Sequence, residues 1–178
     1  MQKPTEDSLR GLLEVTPIRR KLRQELRLGT SMLGVEEDAW ADRELFAVYT
    51  KSRNEGVLWV ETVNVQALLP FSLSRGLRDT ATGRSKPVIC DFCRSWQRGS
   101  NIARITLYPV PKLHDTFGLL VCADLEYSLH CRTLTPAGKL SRTQLREDLD
   151  DAARARRLQA RLDEFVSRFR QFQRPKLI

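Results

Sequence analysis

Near the start of the chain, apolar positions recur three and four residues apart. Leu9, Leu12 and Leu13 share one stripe, and Ile18, Leu22 and Leu26 form another. That spacing predicts helix over residues 8–28, with Pro17 opening a second segment and Gly29 as its stop. The period then shortens. Residues 45–49 and 57–63 read as two strands joined at Asn54-Glu55-Gly56, where Gly56 supplies a positive φ. Residues 67–73 make a third strand, which Pro70 places at an edge or bulge. Trp59 reads as core. Residues 102–108 alternate apolar and polar as a half-buried strand does, and Pro109-Val110-Pro111 ends it. Residues 117–121 form the next strand and lead into Cys122. Thr135-Pro136-Ala137-Gly138 is a break. Ser141-Arg142-Thr143-Gln144 has the form of a capping box. Behind it one apolar stripe runs from Leu145 through Leu149, Ala152, Ala155, Leu158, Leu162, Phe165 and Phe169 to Phe172. The expectation is one helix of about 30 residues, about 45 Å long. That exceeds what a small sheet covers, so one end is expected to project or to meet a partner.

Composition narrows the class. The 178 residues are 41% hydrophobic and 29% charged, as expected for one globular domain or two small ones sharing a core. No apolar run reaches the roughly 18 residues of a membrane helix. The polar start, Met1-Gln2-Lys3-Pro4-Thr5-Glu6-Asp7, has no apolar signal core, so a cytoplasmic location is the expectation. The net charge is +8. It is uneven: residues 1–89 carry 14 basic and 12 acidic side chains, residues 90–178 carry 16 and 10. A basic balance asks for an acidic partner, protein or RNA, without choosing between them. The bases at Arg19, Arg20, Lys21, Arg23 and Arg27 read as a solvated helical face.

All four cysteines, Cys90, Cys93, Cys122 and Cys131, lie in the more basic half. Clustered cysteines in a reducing compartment more often bind metal than pair. Cys90-Asp91-Phe92-Cys93 is a CxxC knuckle, from which both sulfurs can face one ion. A redox CxxC normally ends a strand and opens a helix. Here a hairpin follows, and a third cysteine ends its second strand. Knuckle, hairpin and helix in that order describe a treble clef with zinc. For the fourth ligand, His130 and Cys131 are chemically good candidates, Tyr127 is a poor one and His114 a weaker one. In a continuous helix His130 would stand about 12 Å from Cys122 along the axis, so the chain must turn first. A site of mostly sulfur ligands reads as closed and structural. No HExxH, Walker loop, GxSxG or GxGxxG is present, and an enzyme is poorly supported.

The set Cys90-x-x-Cys93, the strand with Ile102, Val121-Cys122-Ala123-Asp124-Leu125-x-x-Ser128-Leu129 and the closing helix with Leu158, Leu162 and Phe165 resembles a known family. It is similar to the C-terminal treble-clef zinc domain of elongation factor G-binding proteins, the FusB-type fusidic acid resistance proteins and their actinobacterial relatives. The likeness runs from about residue 86 to 172. It implies a structural zinc, an elongation factor G partner and release of that factor from the ribosome. It matches Cys90, Cys93 and Cys122 to family cysteines. The short relatives usually carry a cysteine where this chain has Tyr127. The resistance branch places its last ligand eight residues after the strand cysteine, which implies His130 here, with Cys131 second. The resistance proteins carry an N-terminal helical bundle, where this chain is read as helix and sheet.

The resulting expectation is an α+β protein. Residues 1–85 form an N-terminal helix-plus-hairpin region with a small antiparallel sheet. Residues 86–178 form the treble-clef zinc-finger domain with its long C-terminal amphipathic helix. The metal ligands are Cys90, Cys93, Cys122 and His130, with Cys131 as the alternative. Arg84, Lys86, Arg94, Trp96, Arg98 and Arg104 form the partner-binding set, to which Arg78 is added for RNA. The protein is expected to be a monomeric adaptor with no membrane and no small-molecule substrate. The alternative is a ribosomal RNA or other nucleic-acid-binding zinc protein, whose binding would fall steeply with salt.

Overall fold

The computed structural model describes residues 1–76, 81–83, 86–107 and 117–173. Three short helices open the chain: α1 (Glu6–Val15), α2 (Arg20–Leu26) and α3 (Leu28–Leu33). Thr5 caps α1, its hydroxyl accepting the Ser8 N–H at 3.2 Å. Strands β1 (Leu45–Tyr49), β2 (Glu55–Glu61) and β3 (Gln66–Arg75) follow. Next come the two-residue strands β4 (Val88–Ile89) and β5 (Trp96–Gln97), and then β6 (Ile102–Leu107) and β7 (Phe117–Cys122). The chain ends in α4 (Tyr127–Cys131), α5 (Pro136–Leu145) and α6 (Asp151–Gln173). The main sheet is antiparallel, in the order β1-β2-β3-β6-β7, and β4-β5 pair as a separate ribbon.

Alternation of side chains sorts this sheet into two buried faces. Val48, Val57, Trp59 and Leu68 face Leu9, Leu22, Leu26, Met32 and Trp40 of the N-terminal helical layer. Leu58, Val60, Leu69, Phe71 and Ile105 lie on the other face, in one cluster with Leu158, Leu162, Phe165 and Phe169 of α6. The same cluster holds Cys90, Phe92, Cys93 and Cys122. Both faces are apolar, which is why β2 has five consecutive buried residues instead of a half-buried alternation. The division expected at residues 85/86 falls inside this arrangement. β6 and β7 extend the sheet begun by β1 to β3, and both halves share one core.

Several local expectations are corrected. Gly29 lies inside α3; the break comes at Arg27, which takes the left-handed conformation with φ of 44°. Pro17 precedes α2 by three residues and does not open it. Pro70 sits in the central strand, opposite Val57, and pairing of β3 with β6 is described from Phe71 onward, one residue beyond it. The long C-terminal helix is two helices. Thr135 caps α5, accepting the Gly138 N–H at 2.9 Å, and Pro136 takes its first turn. Ser141 is therefore interior to α5, not a cap. Arg146 ends α5 with φ of 47°, and the Asp150 carboxylate accepts the Ala153 N–H at the start of α6. At 23 residues, α6 is about 34 Å long. The side chain of Phe172 and the segment Pro109-Val110-Pro111 lie outside the described residues.

The hairpin glycine has a steric reason, not a dihedral one. Arg53 supplies the positive φ, and Gly56 is the second residue of β2. A Cβ on Gly56 would meet the Val48 carbonyl oxygen at 2.2 Å and the Phe71 ring at 2.8 Å. Gly56→Ala is accordingly expected to cost about 2 kcal/mol through overpacking, measured as a lower urea midpoint at unchanged slope.

Candidate metal centre

The knuckle between β4 and β5 is a tight turn closed by its own backbone. The Arg94 N–H donates to the Cys90 carbonyl at 3.0 Å, and the Cys90 N–H donates to the Ser95 carbonyl at 2.9 Å. Arg94 adopts φ of 58° to make that turn. Asp91 then ties the knuckle to β7: its N–H donates to the Leu120 carbonyl and its carboxylate accepts the Leu120 N–H, both at 2.8 Å. This brings Cys122, the last residue of β7, against Cys90 and Cys93. The three sulfurs lie within 4.8 Å of one another, and all three residues are buried. Cys93 Sγ is 3.6 Å from Cys122 Sγ. Tetrahedral zinc with Zn–S bonds of about 2.3 Å sets its sulfurs about 3.8 Å apart, so the donor set fits zinc.

The electrostatics point the same way. Burial opposes charge on all three sulfurs. Hydrogen bonds from Cys122 and Cys93 nevertheless hold Cys90 well below the usual thiol range. Burial pushes Cys93 and Cys122 well above it, and the charge on Cys90 pushes them further. One thiolate of the three is therefore supported by the protein alone. A bound divalent cation lets all three ionise, supplying structural cross-linking and no exposed reactive position. Cys93 also lies 2.9 Å from the Ser95 hydroxyl.

After Cys122 the chain turns, with Leu125 in the left-handed region at φ of 59°, before α4 begins. That turn brings His130 back: Cys122, Asp124 and His130 offer ligand atoms within 4.8 Å of one another. His130 is not grouped with Cys90 and Cys93 among the described residues. Its ring is held on both sides. Thr135 Oγ1 accepts the Gly138 N–H, so its own proton can go to Nδ1 at 2.6 Å. This network leaves the ring proton on Nε2, facing the Asp124 carboxylate at 3.1 Å. Burial pushes the Asp124 carboxyl upward, but His130, the Glu126 N–H and Asn101 hold it below the usual carboxylate range.

Cys131 is turned elsewhere: its thiol donates to the Ser128 carbonyl at 3.2 Å and lies beside Arg132. Burial pushes that thiol up to about 11. Tyr127 is fully buried against Phe92, and its hydroxyl has no partner. Burial, followed by the charges of Cys90 and Cys122, holds the phenol well above its usual range. His114 lies outside the described residues.

The expected partner-binding set is dispersed. Arg84, like Arg78, lies outside the described residues. Lys86 and Arg98 are exposed, and Arg94 is half-buried in the knuckle. Trp96 is half-buried, and its backbone N–H donates to the Ser141 hydroxyl at 2.7 Å. Arg104 stands exposed in β6, paired across to Ser74 and Leu120. Trp96 and Arg98 share one cavity wall; Arg104 is not part of it. Sequence reasoning missed Asp124, Thr135 and Gln97 as members of this region. The Thr135-Pro136 pair was the available signal, because it is a helix N-cap followed by proline in the first turn.

The family model described as FBP C-terminal treble-clef zinc-finger matches residues 24–169. No curated protein and no solved structure matches the chain. No helix among the described residues is long and apolar enough to cross a membrane.

Elemental analysis is expected to find one zinc per chain. Strong chelation is expected to lower the melting temperature by at least about 10 °C, the scale of a lost structural metal in a chain of this size. Cys93→Ser should start from the lower value and lose nothing more to chelator. Equal chelator sensitivity of the two proteins would contradict the assignment.

Proposed function

Because the chain belongs to the FBP C-terminal treble-clef zinc-finger family, we propose that it is a zinc-stabilised, non-enzymatic adaptor. Its proposed partner is elongation factor G on or near the ribosome, and its proposed effect is to promote release of that factor. The observation that carries the reading is the burial of the metal cysteines: Cys90, Cys93 and Cys122 are at most 2% exposed. A substrate cannot reach such an ion, whereas an ion there can stiffen a surface that binds something else. The exposed bases beside the knuckle, Lys86 and Arg98, suit an acidic surface.

His130 is proposed as the fourth ligand, the ion taking the place of the Nε2 proton that otherwise faces Asp124 while Nδ1 keeps the Thr135 hydroxyl. His130→Ala is expected to weaken zinc binding at least about tenfold, while Cys131→Ser and Tyr127→Phe keep it. The reverse pattern, with zinc lost on Cys131→Ser and kept on His130→Ala, removes the assignment.

Purified protein and elongation factor G are expected to form a complex at micromolar concentrations, weakening as salt rises. Absence of that complex, together with RNA binding whose logarithm falls linearly with log salt, would replace this reading with the nucleic-acid one.

A further inference from the structure

The link between α4 and α5 returns the chain onto the ring of His130. Thr133 takes the left-handed conformation at φ of 57°, and its N–H donates to the His130 carbonyl at 3.1 Å. Thr135 thereby sets its hydroxyl oxygen 2.6 Å from His130 Nδ1. The same oxygen caps α5 by accepting the Gly138 N–H at 2.9 Å. Gly138 closes the arrangement. A Cβ there would meet the His130 carbonyl oxygen at 2.6 Å and its Cα at 3.1 Å. The first turn of α5 is thus pressed against the histidine backbone while its cap holds the ring. His130 is 2% exposed, so that ring is packed on all sides.

A ring held in this way can take a cation only if its proton changes place. With the Thr135 hydroxyl donating to Nδ1, the ring proton sits on Nε2 and faces Asp124. A metal on Nε2 of a neutral imidazole requires that proton on Nδ1. The hydrogen bond to Thr135 then reverses. Nδ1–H donates to Oγ1, which has a second lone pair beside the one that accepts the Gly138 N–H. Thr135 is half-buried, so its own hydroxyl proton can turn to solvent. Asp124 gives up one donor but keeps the Asn101 side-chain N–H at 3.0 Å and the Glu126 N–H at 3.1 Å. The ring stays neutral throughout, since one proton leaves Nε2 and one is taken up at Nδ1.

We propose that Thr135 is a positioning residue of the metal site: its Oγ1 accepts the Nδ1–H of His130 and so leaves Nε2 as the nitrogen that takes the ion. The inference rests on the reading of His130 as the fourth ligand. One oxygen then serves two structures, the ligand ring and the start of α5. Metal affinity and the docking of α5 are therefore linked, each raising the other.

The test combines zinc affinity, measured against a competing chelator, with the ring-nitrogen resonances of His130 in isotope-labelled protein. In the chelated protein the ring proton is expected on Nε2. In the zinc-loaded protein it is expected on Nδ1, with a hydrogen-bonded shift. Ligation through Nδ1, or a tautomer that zinc leaves unchanged, would overturn the proposal. Thr135→Val keeps the shape, removes the oxygen and should weaken zinc binding about tenfold. Thr135→Ser keeps the oxygen and should stay within about threefold of wild type. Because Thr135→Val also removes a helix cap, its combination with His130→Ala decides how it acts. In that background Thr135→Val should change zinc affinity by less than about twofold. An equal loss with and without His130 would make Thr135 a helix cap only and overturn the proposal. Should Thr135→Val not fold, the wild-type resonances and Thr135→Ser decide. If His130→Ala loses zinc while Thr135→Val binds it as wild type does, the proposal fails and the ligand reading survives. If His130→Ala keeps zinc, both fall.

Discussion

Three sulfur donors packed into an apolar core cannot all be charged unless a cation joins them, and most of the architecture follows from meeting that demand. The knuckle holds Cys90 and Cys93 in one turn, and the Asp91–Leu120 pair fixes that turn on β7 so that Cys122 arrives at the same point. Phe92, between the two knuckle cysteines, points into the aromatic cluster with Tyr127 and Phe165. The metal site is thus also where the ribbon, the sheet, α4 and α6 meet. Losing the ion leaves three buried thiols in contact, of which one favours charge. The cost falls on every element that converges there.

The same segment is stitched to the opposite edge of the chain's order. Glu44, 2% exposed just before β1, accepts two hydrogen bonds from Arg132, at 2.5 and 3.0 Å, and its N–H donates to the Ser128 hydroxyl. Arg43 pairs with Glu126 at 2.6 Å, and the Tyr49 hydroxyl donates to the Asp124 carbonyl. A buried bidentate pair of this kind adds little net stability, but removing one partner costs about 3–5 kcal/mol. The pair ties the end of α4 to the residue before β1. The N-terminal sheet and the metal segment consequently form one cooperative body, not a finger appended to a separate domain.

How much of this was legible follows from the range of each interaction. Strand β1 was readable as a continuous apolar run of five residues, because its two faces meet different layers. The cysteine trio was readable too, because CxxC spacing encodes a turn and Cys122 follows a strand. Helix limits were less so. Arg27 and Arg146 break helices by adopting a left-handed conformation that nothing in an arginine side chain announces. Pro70 misled because β3 becomes a central strand through pairing with distant β6, not through anything in its own sequence. The Glu44–Arg132 pair spans 88 residues and leaves no local pattern at all. The orphaned Gln97 amide is equally silent, since an unsatisfied donor is defined by what the fold fails to put beside it.

Charge acquires a direction once these placements are combined. Among the three acids of residues 113–131, Asp124 is engaged by His130 and Asn101 and Glu126 by Arg43. Those two carboxylates are therefore internally compensated and project little negative potential. On the knuckle face, by contrast, Arg98 is exposed. Fields from exposed charges at this surface act over roughly a Debye length, about 8 Å at physiological salt. They can draw in an acidic partner but cannot select one. Selection needs short-range groups held at fixed separation, and the elements next to the knuckle are β5 and α5. Both elements are tied to the metal knuckle, β5 as its closing strand and α5 through the Ser141 hydroxyl that accepts the Trp96 N–H. The ion's contribution is then positional, because it fixes the knuckle to which both elements are tied.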